Sequence, residues 1–463
     1  MKYLCGLIAA ALLAFLTGPA MAAATAATGF ELRPLPYFVD QAALPIEALP
    51  GAKTSWGMTA RGSGYRIEFP DRWNGDLLVM LRGGGSICDV QAKTGCRIND
   101  PLTPLNRARL IAEGYAWAAA TYRDNRVAIE THAQDVLDVV DLFRKAHPNP
   151  PKGKAKREGR VFLMGFSMGG NTTMAAVELF PKVFAGAVAG CSGDTSFQST
   201  YYFNLNLAAA ALAAPGSPDI AAYLKHFGMP PDLAASKRLG PQFLAALGPD
   251  FPRRTNATGD RYREIVKRFS GGARPLFDAA FNKSIGPMVT DYIGLADAVD
   301  SGPRSIIDNA RTDYGADLNP LVPRFSCDPK ACPTRRVTQD QGHDLGGNRR
   351  LSGKISVPVM TIETTGELTV PLSAGQDYAD RVERAGRSKL LVQRAYREID
   401  HCGFNADEVG EAFDDLVKWV DTGVKPEGDD IRDAAQVAAP DFGCKFTRGG
   451  HKNDPDYARL CRK

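Results

Sequence analysis

The run Gly165-Phe166-Ser167-Met168-Gly169 constrains this chain more than any other feature, because it joins two kinds of element at a point that admits few backbones. Before it, Arg160 to Gly165 is a continuous apolar run that reads as a strand buried on both faces. After it, Asn171 to Leu179 reads as a helix. A serine between the two sits on a sharp, strained turn, and the flanking glycines let strand and helix pass closely. The hydroxyl of Ser167 then stands clear of both elements, as an exposed nucleophile requires. The five-residue pattern alone carries little weight in a glycine-rich chain; its position between strand and helix supplies the rest.

The same alternation runs on either side. Tyr65 to Phe69, Leu77 to Leu81, Ala116 to Thr121 and Phe184 to Ala189 read as further strands, and Ala128 to Lys145 as a helix whose apolar residues recur at three and four residue spacing. His132 lies on that apolar face and reads as packed. Alternating strands and helices predict a doubly wound, mostly parallel sheet. The alternation stops after Ser192 and resumes with a strand at Pro358 to Thr364, a helix at Ser373 to Ala385, a strand at Leu390 to Ile399 and a helix at Ala406 to Thr422, capped by Asn405 and Glu408. The predicted organisation is a leader over 1–22, a core over 30–194, an inserted cap over 195–352, the rest of the core over 353–425 and a tail over 426–463. Within the insert only a helix near Leu207 to Ala213 is legible; Tyr201, Tyr202 and Phe203 are candidates for an acyl pocket or for packing.

A serine hydroxyl attacks poorly unless an imidazole takes its proton, and the imidazole needs a carboxylate to fix its tautomer and support its charge. His401 follows the strand Leu390 to Ile399, and Glu367 follows the strand Pro358 to Thr364, so both belong to loops at the same end of the sheet. Glu363, within its strand, and Asp400, next to His401, are the alternative acids. His343 falls in the insert and reads as a loop residue, while His147, His226 and His451 sit in polar, punctuated surroundings and read as solvated.

With Ser167, Glu367 and His401 in that order, the chain resembles a secreted serine esterase of the α/β-hydrolase superfamily, over about 64–193 and 357–423. The resemblance implies an α/β-hydrolase fold with a large inserted cap and a C-terminal tail, and a carboxylic ester hydrolase working through an acyl-enzyme on Ser167 with neither cofactor nor metal. The superfamily's acid is usually aspartate, so Glu367 is a departure. One oxyanion donor is expected from the amide of Met168. The other is expected from Arg82-Gly83-Gly84-Gly85, which resembles the HGGG run of such enzymes with arginine for histidine, Gly84 or Gly85 being favoured. In tannase and feruloyl-esterase-like hydrolases, cysteines beside the catalytic serine and histidine are bonded to each other; Phe166 precedes Ser167 here, which breaks that signature.

The start of the chain reads as an export signal, with Lys2, the apolar run Leu7 to Leu16 and the small-x-small site Ala20-Met21-Ala22. That run falls short of the roughly 18 apolar residues of a membrane span. A secreted or periplasmic setting favours disulfides, and setting Cys5 aside leaves Cys88, Cys96, Cys191, Cys327, Cys332, Cys402, Cys444 and Cys461. Spacing pairs Cys88 with Cys96, Cys327 with Cys332 and Cys444 with Cys461, leaving Cys191 for Cys402, unless Cys402 is bonded to the tail. The absence of any CxxC pair argues against zinc. A net charge of +4, or +3 without Lys2, is too small to point to nucleic acid, and no integral membrane segment is expected. The expected partner is a small-molecule or polymeric ester. A secreted serine peptidase of aminopeptidase type, and a catalytically inactive binding module, are the competing readings.

Overall fold

Successive strand residues face opposite sides of a sheet, and in the central strands of this chain both sets are apolar, so those strands require helices on each face. In the computed structural model the described residues are 39–84, 88–89, 95–98, 106–123, 128–148, 159–213, 233–290, 309–322, 324 and 351–461. Eight strands form one sheet: β1 (Ala52–Met58), β2 (Gly64–Pro70), β3 (Leu77–Leu81), β4 (Ala116–Ala120), β5 (Val161–Phe166), β6 (Gly186–Gly190), β7 (Val359–Thr364) and β8 (Leu391–Tyr396). Their order is β1-β2-β4-β3-β5-β6-β7-β8, with β2 antiparallel to its neighbours β1 and β4 and all other pairs parallel. This is the mostly parallel, doubly wound α/β-hydrolase fold that the sequence predicts.

The alternation is visible in the core. Leu77, Val79 and Leu81 face the cluster that buries α2 (Ile129–Ala146) and α3 (Met168–Leu179), while Leu78 and Met80 face α1 (Arg107–Glu113) and the later helix α9 (Ala406–Thr422). His132 packs as expected, buried and stacked 4.1 Å from the ring of Tyr122. The Asn405–Glu408 capping box is present at the start of α9. Strand β1 goes unread in the sequence because it is an antiparallel edge with mostly exposed residues and no apolar alternation to betray it.

Between β6 and β7 the described residues form four helices, α4 (Thr195–Ala213), α5 (Leu233–Leu247), α6 (Ala257–Phe269) and α7 (Phe277–Thr290), of which the sequence reveals only the end of the first. They bury a separate apolar cluster that includes Tyr201, Tyr202 and Phe203, so these aromatics pack. The same cluster takes in Leu368 and Ile399, residues of the two loops that follow β7 and β8. Helix α8 (Leu372–Arg384) follows the first of those loops. After α9 the chain returns through the short helices α10 (Ala434–Ala438) and α11 (Tyr457–Leu460), with Cys444 bonded to Cys461 as predicted. Cys191 is bonded to Cys402, and the alternative of a Cys402 bond to the tail is thereby excluded. Cys88 and Cys96 are register partners in a two-stranded ribbon, but their side chains, together with Cys327 and Cys332, lie outside the described residues. Among the described residues no helix is long and apolar enough to cross a membrane.

Candidate active site

Parallel strands deliver their following loops to one edge of the sheet, and there β3, β5, β7 and β8 bring the candidate residues together. Ser167 joins β5 to α3 with φ 57° and ψ −127°, a left-handed conformation that a non-glycine residue holds only when its surroundings enforce it. The flanking glycines are steric necessities. A methyl group at Gly165 would meet the carbonyl oxygen of Gly169 at 2.2 Å, and one at Gly169 would meet that of Leu81 at 2.2 Å. The amide of Ser167 donates to the carbonyl of Gly190 at 3.0 Å, which fixes the turn against β6.

The Ser167 Oγ lies 2.8 Å from His401 Nε2. On the other side of the ring, His401 Nδ1 is hydrogen-bonded to the Glu367 carboxylate. Glu367 is buried and its carboxylate is further held by the Val370 amide at 3.0 Å and the Thr364 hydroxyl at 3.2 Å. His401 keeps a third of its side chain open to solvent. Loss of hydration works against its charged form, but the charge of Glu367 and the bond to it prevail, so the imidazole pKa lies above its ordinary value.

The two alternative acids are elsewhere. Glu363 is buried, and burial first, then the charge of Glu367, pushes its carboxyl well above the carboxylate range. Asp400 turns from the ring to the Lys283 ammonium and to Asn453 Nδ2.

Met168 is the first residue of α3, where amides lack a carbonyl in the preceding turn. Gly84 lies beside its side chain, a methyl group there standing 3.7 Å from Met168 Cβ. Of the turn's described glycines, Gly83 comes nearer the nucleophile than the favoured Gly84: a methyl group there would stand 4.0 Å from Ser167 Oγ. Gly85 lies outside the described residues. Arg82 holds this turn, donating from Nε to the Thr121 carbonyl at 2.9 Å and from Nη1 to that of Gly83 at 3.2 Å, with its guanidinium 4.8 Å over the Tyr122 ring.

Of the histidines read as solvated, His147 is half-buried and stacks on Phe69 at 4.0 Å, where burial lowers its pKa. His451 lies between Glu398 and Glu408. His226 and His343 lie outside the described residues. The Cys191–Cys402 bond sits against the site, with the Ser167 amide 3.3 Å from Cys191 Sγ and Cys402 Sγ 3.6 Å from His401 Nε2. Sulfurs bonded to each other are not the thiolates a zinc ion takes.

No protein-family model matches the chain. It is similar to an o-phthalyl amidase of Xanthobacter agilis, 23% identical over an alignment of 458 positions that covers 86% of this chain and 94% of that protein. Solved structures similar to it include an esterase from Aspergillus oryzae, with a TM-score of 0.45 and 14% identity over 81% of this chain and 80% of that one. Feruloyl esterase B from Aspergillus oryzae gives a TM-score of 0.43 at 15% identity over 85% and 86% of the two chains. Candida antarctica lipase A in its closed state gives 0.41 at 13% identity over 89% and 85%.

Proposed function

We propose that this chain of α/β-hydrolase fold is an exported serine hydrolase that cleaves a carboxylic ester through an acyl-enzyme on Ser167, with His401 as base and Glu367 as acid. The observation that carries the reading is the unbroken line of contacts from Glu367 through His401 to Ser167. His401 Nε2 takes the proton of Ser167 Oγ as the oxygen attacks the carbonyl carbon, and Glu367 supports the imidazolium that forms. Charge develops on the carbonyl oxygen, which the amides of Met168 and of the Gly83–Gly84 turn receive, each worth about 3 kcal/mol of barrier. As the tetrahedral adduct collapses, His401 returns the proton to the departing alcohol oxygen. Water, deprotonated by the same imidazole, then releases the acid and frees Ser167.

A second reading has its own support. The similar amidase of Xanthobacter agilis is named for amide cleavage, and the same triad expels an amine once His401 protonates it. Kinetics on short and long acyl esters, aromatic esters, phthalyl amides and aminoacyl anilides separate the two. Ester kcat/KM exceeding that of the matched amide by more than about a hundredfold supports the esterase, and the reverse ranking replaces it with an amidase. The proposed export rests on the apolar run and cleavage site at the start of the chain, outside the described residues, and on the two disulfides among the described residues.

A further inference from the structure

The loop that presents His401 runs from the end of β8 to the cap of α9, with Glu398 at its start and Glu408 in the first turn of α9, and one histidine from the C-terminal tail spans the two. His451 Nδ1 lies 2.9 Å from Glu398 Oε2, and His451 Nε2 lies 2.9 Å from Glu408 Oε1. A ring nitrogen that faces a carboxylate has to donate, so both nitrogens carry protons and the ring is an imidazolium. Its side chain is 9% exposed, and those of Glu398 and Glu408 are 5% and 0% exposed, conditions in which a charge persists only when paired.

Glu398 passes this restraint to the site. Its Oε1 accepts the amides of Ile399 at 2.6 Å and Asp400 at 3.1 Å, and the Asn453 side-chain amide at 2.8 Å. Its backbone carbonyl accepts the amide of Gly366, beside Glu367, at 2.9 Å. Glu408 in turn accepts the amides of Asn405 at 2.9 Å and Arg448 at 3.0 Å. We propose that His451 is a positioning residue for the hydrolysis, a cationic tie between Glu398 and Glu408 that fixes the loop carrying His401 and its contact with the Glu367 loop. The proposal rests on the triad reading above.

Other charged groups nearby are already engaged. Asp400 is held by Lys283 and Asn453, the Arg448 guanidinium bonds Glu411, and Arg397 pairs with Asp454. The hydrogen bonds from Glu398 and then Glu408, against the pull of burial, push the His451 pKa up to about 10. Burial raises the Glu398 carboxyl, but its bonds to His451, Asn453, Ile399 and Asp400 prevail and hold it at about 2. The tie is therefore complete at neutral pH and is lost as pH rises through the folded-state value of His451.

The test is made on a parent whose turnover has been shown to need Ser167; a parent without it counts against the proposed function and not against His451. His451→Gln should lower kcat at least about tenfold with KM within about twofold, and should abolish the alkaline fall in rate. Glu408→Gln keeps an acceptor and removes one counter-charge, so its alkaline fall should move to lower pH. Nitrogen NMR should find both His451 ring nitrogens protonated at about pH 8, where an ordinary imidazole, titrating near about 6.5, is neutral. A His451→Gln kcat within about twofold of the parent, with its alkaline fall unchanged, would overturn the proposal, as would a neutral His451 ring at that pH. If His451→Gln does not fold, the direction of the Glu408→Gln shift and the ring's protonation decide.

Discussion

Ser167, His401 and Glu367 each occupy a position whose local chemistry leaves little choice. A left-handed serine costs about 1–3 kcal/mol and persists only where the surrounding strand and helix impose it. Of Glu363, Glu367 and Asp400, Glu367 is the carboxyl in contact with the imidazole, since Asp400 bonds Lys283 and Glu363 is buried within β7. Glu367→Gln should therefore lower kcat by about ten-thousandfold, the order seen when a triad carboxylate becomes an amide. Glu363→Gln and Asp400→Asn should stay within about tenfold of the parent, and steady-state kinetics on the three variants give the ranking. His401 in the proposed role of base acts neutral, so kcat/KM should fall as pH drops through its pKa, which the Glu367 charge holds above the ordinary value. In Glu367→Gln that acid limb should move to lower pH, because the charge that favours the imidazolium is gone. These residues are legible in the sequence because each lies just beyond an apolar strand. Glu398 and His451 are not, because their meaning comes from each other across more than fifty positions.

At the scale of elements, the site is a set of loop ends tied to one another. The Cys191–Cys402 bond joins the end of β6 to the residue after His401, across 211 positions of sequence. Replacing both cysteines with serine should lower the denaturant-measured stability by about 2–4 kcal/mol and reduce kcat more than it raises KM, because the imidazole loses its tether while the substrate contacts remain. A silent double variant, with kcat and urea midpoint both unchanged, would show that the other contacts of the loop suffice. The cap of α9 is a simpler case. Asn405→Ala removes its bonds to the Asp407 and Glu408 amides and should cost about 1 kcal/mol in urea unfolding. Such caps, and the buried parallel strands, declare themselves in short windows of sequence. Strand β1 does not, because an exposed edge needs no apolar face. The helices of the insert are hidden for a related reason, since they pack mainly on one another and obey no alternation with strands.

Across the molecule, both the insert and the tail converge on the loops that carry Glu367 and His401. The apolar cluster of the insert reaches Leu368 and Ile399, one residue on from Glu367 and two before His401. The tail reaches the same segment by charge: Arg397, at the end of β8, pairs with Asp454 at 2.6 Å and also donates to the carbonyls of Pro440 and Phe442. Both side chains are buried, so Asp454→Ala strands a guanidinium and should cost about 3–5 kcal/mol in urea unfolding. A loss below about 1 kcal/mol would mean that the tail is held by its disulfide and carbonyl contacts instead. Sequence spacing gives the staple from Cys444 to Cys461 but not its purpose, which depends on where the tail lies against β8.

Labelling with a fluorophosphonate tests the central claim most directly, because the probe reacts only with a serine whose proton an adjacent base can take. The parent should be labelled stoichiometrically, peptide mapping should place the phosphonate on Ser167, and folded Ser167→Ala should take up none. Undiminished labelling of the alanine variant, or a folded parent that resists the probe, would contradict the account.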